Sequence, residues 1–232
     1  MARTRAADYD AQRELIQEFA AQAFAELGFP SASMNDIARR CGVSKGLLYH
    51  YYASKEQLLF DVTEQYTKRL VSLVEAVERR IRDPARRLPQ LIRAFLDEYQ
   101  TSQARHMVLL HDLRFLGESE RRSVVNNERR VVDAFAAAIG AAHRLPEDVS
   151  VVKPVTMMLF GSINWTFAWL KPEKGLSYAE FAELVTAVFA AGIDALAKRS
   201  DSPSKRHDYP KRLQREDAKG AKVRDRGPLD GR

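Results

Sequence analysis

Between Lys45 and Lys55 the chain reads KGLLYHYYASK, and these eleven residues hold two ammonium groups, three tyrosine hydroxyls and an imidazole. Such groups donate hydrogen bonds, and the lysines add full positive charge, which is the chemistry that grips phosphate oxygens whatever base they carry. Ser33 offers a further hydroxyl upstream. Other chemistries lack their residues. His106 and His111 stand five apart, off a common helical face, and no His or Cys pair has ligand spacing, so no metal is expected. No phosphate loop, nucleotide fingerprint, nucleophile elbow or zinc-protease helix occurs, so neither a cofactor nor catalysis is expected. A second group of polar and soft side chains lies further on. His106, His143, Trp169 and Met157 belong to it broadly, while Met107, His111, Asn164, Trp165 and Met158 are the expected lining of a small-molecule pocket. Asn164 is the most telling, because an amide inside an apolar stretch must find a partner.

The donors near Lys45 need a scaffold, and the surrounding residues supply one. Ser33 with Asp36 three residues on forms a capping-box-like start for a short helix whose inner face is Met34, Ile37, Ala38 and Cys41. Gly42 suits the left-handed C-cap, Val43 packs under the corner, and Ser44 caps a second short helix from Lys45 to about Tyr52. The pattern is a helix-turn-helix. Before it, Leu15, Ile16, Phe19, Ala20, Ala23, Phe24 and Leu27 recur at helical spacing, until Gly28 and Pro30 stop them. After it, Ser54 and Gln57 open a long rod running to about Ile81. Further helices are predicted from Asp83-Pro84 to about Thr101, from near Gln103 to Gly117, and from Glu118 to Ala142. Two more, about Ser150 to Leu170 and Ser177 to Lys198, are so apolar that both call for extensive burial. Phe167, Phe181, Leu184, Val188 and Phe189 are their expected contacts with a second copy of the chain.

Strand signals are nearly absent, so the fold class is all-α with about nine helices. The longest uncharged run, Val155 to Leu170, falls short of the roughly twenty residues a bilayer needs. MARTRAADYD has no apolar core, which leaves the cytoplasm as the expected compartment. The single cysteine, Cys41, excludes an intramolecular disulfide. A net charge of +6 suggests a polyanionic partner, yet its location matters more. From Lys198 onward twelve Lys or Arg face six Asp or Glu, so the tail alone carries a net of +6 and the rest of the chain is balanced. DNA affinity must then come from local clusters, with Arg3 and Arg5 able to add phosphate or minor-groove contacts. The expected domains are a basic flexible arm at 1–9, a DNA-binding unit at 10–55, a helical ligand-binding and dimerisation unit at 56–199, and a disordered charged tail at 200–232.

Ile37-Ala38, then Gly42-Val43-Ser44-Lys45-Gly46-Leu47-Leu48-Tyr49, then Tyr51-Tyr52-Ala53-Ser54-Lys55 resemble the TetR family of bacterial transcriptional repressors. The resemblance implies an all-helical homodimer on double-stranded operator DNA, released by a small-molecule effector. By position it places Lys45, Gly46 and Leu47 at bases, and Ser33, Tyr49, His50, Tyr51 and Lys55 at phosphates. The stretch FGSINWTFAWLKPEKGLSYAEFAE is similar to members that sense acyl-CoA thioesters, which makes such a thioester one candidate effector. A ligand-independent architectural DNA binder, and a helical enzyme fused to a helix-turn-helix, stand as alternatives.

Overall fold

The computed structural model describes residues 2–142 and 151–200, and expectations about His143, Pro146, Ser150 and the tail beyond residue 200 lie outside them. Every regular element among the described residues is helical: α1 (Ala2–Leu27), α2 (Met34–Cys41), α3 (Lys45–Tyr51), α4 (Lys55–Arg80), α5 (Leu88–Thr101), α6 (Gln103–Asp112), α7 (Glu118–Ala142), α8 (Val152–Asn164), α9 (Thr166–Trp169) and α10 (Tyr178–Ser200). By contacts the chain divides into residues 1–194, which hold the sites below, and residues 195–232, of which only the end of α10 is described.

The rod α4 is the spine of the first unit. Leu59, Val62, Tyr66, Leu70 and Val74 recur every three or four residues, and with Leu58 they are all buried, and α1, α5, α6 and α7 pack around this helix. Each such apolar side chain contributes roughly 1.5–3 kcal/mol on leaving water. The caps form as the side chains dictate. The hydroxyls of Ser33, Ser44 and Ser54 accept from the amides of Asp36, Leu47 and Gln57, each at 3.1 Å. Gly42 takes φ 68°, a left-handed turn that a side chain would strain. Cys41 is buried beside it, and burial pushes its thiol up to about 11, so it is an inert core residue.

Two expectations change. Residues 2–9, expected as a flexible arm, are the first turns of α1. The apolar helix expected through Leu170 breaks after Asn164. In an unbroken helix the Asn164 carbonyl would accept from the Ala168 amide. Here His106 Nε2 takes that carbonyl at 3.0 Å, the Ala168 amide turns to Trp165, and Thr166 Oγ1 donates to Ile163. A side chain from α6 has thus replaced one rung of the ladder.

Candidate nucleic-acid interface and internal cavity

On α3 the burial pattern separates what holds the helix from what it offers. Leu48 is fully buried and Tyr52, just past the helix, nearly so, whereas Lys45, Gly46, Leu47, Tyr49 and His50 are exposed and Tyr51 is half-buried. The Lys45 ammonium lies 5.8 Å from the centre of the Tyr49 ring, and the Tyr51 ring stacks on Tyr9 of α1 at 4.7 Å with His50 edge-on beside it. Ser33, Asn35, Lys45 and Tyr49 line one open surface hollow, so the start of α2 and the outer side of α3 share a concave face. Within the chain nothing requires a glycine at position 46: a Cβ there would meet only Ser44 Oγ, at 4.0 Å.

Lys55 does something the sequence did not suggest. Its ammonium reaches back to three backbone carbonyls, Phe29 at 2.8 Å, Pro30 at 3.2 Å and Ala32 at 2.9 Å, and sits 4.5 Å from the centre of the Phe29 ring. All three ammonium protons are therefore spent on the α1–α2 turn. The expectation of a phosphate-binding ammonium is corrected: Lys55 clamps the turn that sets the entry of α2. What remains for a phosphate there is the backbone, since the first amides of α4 have no intrahelical partner. Replacing Lys55 by Met strands those carbonyls, and we expect about 1–3 kcal/mol of destabilisation in urea titrations. Lys55→Arg should not restore it, because a planar fork cannot reproduce the three-way geometry.

A second feature seen only in three dimensions anchors the helix-turn-helix to α4. The Tyr52 hydroxyl donates to Asp61 at 2.6 Å, Gln17 Nε2 donates to the same carboxylate at 2.6 Å, and Arg13 binds it through two nitrogens at 2.6 and 3.0 Å. Burial and the neighbouring carboxylate push Tyr52 up to about 12. The Arg13 guanidinium is held above its ordinary value by its bonds first to Tyr52 and then to Asp61. Arg105 of α6 makes a separate tie to Glu18 of α1, at 3.2 Å, between the cavity region and the head.

A cavity of about 140 Å³ lies among α4, α5, α6, α7 and α8. Its walls are mostly apolar, including Leu70, Phe95, Leu109, Val131 and Phe160, with Tyr99, His106, Glu128 and Asn164 as polar members. Asn164 was expected there, and its amide oxygen accepts from the Tyr99 hydroxyl at 3.0 Å. Met107, His111, Trp165 and Met158 do not line it, which corrects that part of the expected pocket. Successive residues on a helix point about 100° apart, so Met107 and Met158 point away from the space that His106 lines from inside and the half-exposed Met157 borders at its rim. His111 and Trp165 pack against each other at 5.8 Å instead, and Met158 is 65 % exposed.

His106 is buried with its ring stacked on Tyr99 at 3.9 Å, and desolvation lowers its pKa to about 4. Unfolded, an imidazole takes a proton near pH 6.5, so between about 6.5 and 4 the unfolded chain binds more protons and stability falls as pH is lowered. We expect roughly 2 kcal/mol to be lost between pH 7 and pH 5, with a flatter dependence in His106→Phe, from urea titrations at both values.

Leu184 and Val188 of α10 are 51 % and 60 % exposed, and Met157, Met158, Trp165 and Trp169 on α8 and its continuation are also half exposed or more. Phe181 departs from expectation: it is buried, with the Trp169 ring edge-on at 5.1 Å, and belongs to the core. Phe167 and Phe189 are half-buried. Among the described residues no group of three His, Cys, Asp or Glu side chains could hold a metal ion, and no helix is long and apolar enough to cross a membrane.

Described residues that are helical throughout their regular elements, with a capped helix-turn-helix and a cavity farther along the chain, have the architecture of a DNA-binding regulator. Comparison gives the family. Residues 16–62 match the pattern described as bacterial regulatory proteins, tetR family, and residues 82–193 match the tetracyclin repressor-like C-terminal domain. A TetR-family transcriptional regulator from Bordetella parapertussis is 33 % identical, with a TM-score of 0.72 over 76 % of this chain and 93 % of that one. The repressor KstR2 of Mycobacterium tuberculosis is 24 % identical over 81 % of this chain and 96 % of its own. AibR, in complex with isovaleryl coenzyme A and operator DNA, is 24 % identical, with a TM-score of 0.67 over 77 % of this chain and 98 % of that one. The chain belongs to the TetR family and is a transcriptional regulator with a helix-turn-helix DNA-binding head.

Proposed function

We propose that the protein is a homodimeric repressor that acts in the cytoplasm on a palindromic operator and is released when a small effector enters the cavity, working by binding and not by turnover. The observation that carries this is the outer face of α3, where every donor-bearing side chain but Tyr51 is exposed and the fold makes no use of the glycine at 46. A glycine that the chain does not need serves whatever approaches from outside, and a helix start bare of side chain can come close to base edges. In this reading Lys45 donates to a guanine and Leu47 touches a thymine methyl. Ser33, Tyr49, His50 and Tyr51 meet phosphates and set the register. The dimer forms through Leu184, Val188 and Phe189 of α10, with Phe167 and the exposed Met and Trp side chains of α8 and α9. It holds two recognition helices about 34–36 Å apart.

For the effector we propose an acyl-CoA thioester whose acyl end occupies the cavity. At about 140 Å³ the space is below the roughly 300–1,000 Å³ of pockets that enclose a whole drug-sized ligand, so it admits a short acyl group while the nucleotide end stays outside. The likeness to AibR, which binds isovaleryl coenzyme A, supports the class. Binding is coupled to the head because α6 carries both the cavity residue His106 and Arg105, the partner of Glu18 on α1.

Gly46→Leu tests the DNA face. Leu raises helix propensity and meets open space, so the melting temperature should hold or rise while operator affinity falls by about 100-fold or more, measured by anisotropy on a duplex selected from a random pool. Unchanged affinity in the folded variant would refute the assignment of α3.

A further inference from the structure

The polar side chains that line the cavity are unevenly matched in donors and acceptors. His106 Nε2 is bonded to the Asn164 carbonyl, which can only accept, so Nε2 carries the proton and Nδ1 is a bare acceptor. Nδ1 is buried and has no partner among the described residues, on a residue 2 % exposed. Glu128 lines the same space, and among the described residues its carboxyl makes no hydrogen bond or ion pair, while burial raises its pKa. On the donor side, Asn164 spends its amide oxygen on Tyr99 and keeps its Nδ2 protons. Two residues with a spare acceptor and one with a spare amide donor thus line a space about the size of the roughly 150 Å³ apolar cavity known to take a benzene ring.

We propose that this cavity selects an effector whose inserted end carries a hydroxyl. A hydroxyl donates one hydrogen bond and accepts others, so it can donate to His106 Nδ1 or Glu128 while accepting from Asn164 Nδ2. An unsubstituted hydrocarbon end would leave the buried His106 Nδ1 without a partner and cover the Glu128 carboxyl, which is costly. The inference rests on the effector reading above and narrows it: the acyl group is a short hydroxylated one, not a plain alkyl chain.

Phenol and toluene test it, being nearly equal in size and differing by hydroxyl for methyl. Area burial alone ranks toluene first, because it leaves water more readily. Calorimetric titration of the full chain should instead show phenol at least about tenfold tighter. The His106 Nδ1 resonance of 15N-labelled protein should move upfield in the phenol complex, as a bare ring nitrogen does on accepting a hydrogen bond. Toluene binding as tightly as phenol would overturn the proposal, as would a stationary Nδ1 resonance together with an unaltered preference in Glu128→Leu. That readout needs no variant at His106, whose loss could disturb the fold. Butyryl-CoA and 3-hydroxybutyryl-CoA form the second arm. A tighter hydroxylated thioester supports the proposal, and equal affinities overturn it. Binding of neither thioester, with the phenol preference intact, refutes the thioester reading alone and leaves the hydroxyl selection standing.

Discussion

Placing glutamate at both Leu184 and Val188 should convert the protein to a monomer at micromolar concentration, by light scattering, and lower operator affinity by about 100-fold or more. Both side chains are more than half exposed on α10, so the substitutions leave no cavity and bury no charge within the single chain. In a twofold dimer each glutamate would meet the same surface of the other copy, and the like charges would be desolvated together. Affinity falls because two heads on one rigid body bind as one event, an advantage of roughly 10²–10⁴ that separate heads lack. Far-ultraviolet circular dichroism should be unchanged. A variant that stays dimeric would move the interface off α10.

Asp61→Ala should be the most destabilising single change in the head, costing about 3–5 kcal/mol, or roughly 10 °C in melting temperature. Asp61 is buried and accepts from Tyr52, Gln17 and Arg13 at once. Without it the Tyr52 hydroxyl and the Gln17 amide keep their desolvation and lose their strongest partner. Arg13→Ala should cost much less, since Arg13 reaches solvent and leaves the other two bonds intact. A calorimetric scan ranking Arg13→Ala above Asp61→Ala would contradict this order. Loss of Asp61 should also weaken DNA binding beyond the stability effect, because the network holds the end of α3 against α1 and α4.

What could be read beforehand divides by distance along the chain. The caps at Ser33, Ser44 and Ser54 and the left-handed Gly42 are settled within four residues, so types and spacing suffice for them. The Asp61 network and the Lys55 clamp join residues 9 to 48 apart, and a polar side chain on a helix gives no sign of which distant group it will meet. Lys55 misled for that reason. A lysine at a helix start beside a recognition helix suggests a phosphate, and only the folded turn shows three carbonyls waiting for it. The cavity failed by one helical step on two helices: His106 and Met157 line it where their neighbours Met107 and Met158 were expected, and apolar spacing does not fix a helix's rotation to within one residue. Asn164 itself was legible, as an amide with no place in an apolar helix unless something met it. Phe181 and Leu184 are alike in type and three residues apart, yet one is core and the other surface. Apolarity alone does not say which neighbour will cover a side chain.

Release by an effector requires three parts: an α3 face that binds DNA, a dimer that sets the spacing, and a cavity whose occupation changes that spacing. One titration reaches all three. A fluorescent palindromic duplex, selected from a random pool, is titrated with the full chain at fixed salt, alone and with saturating 3-hydroxybutyryl-CoA or phenol. We expect two protomers per duplex and at least tenfold weaker binding with whichever ligand occupies the cavity. One protomer per duplex, or an affinity unmoved by a ligand shown by calorimetry to be bound, would contradict it.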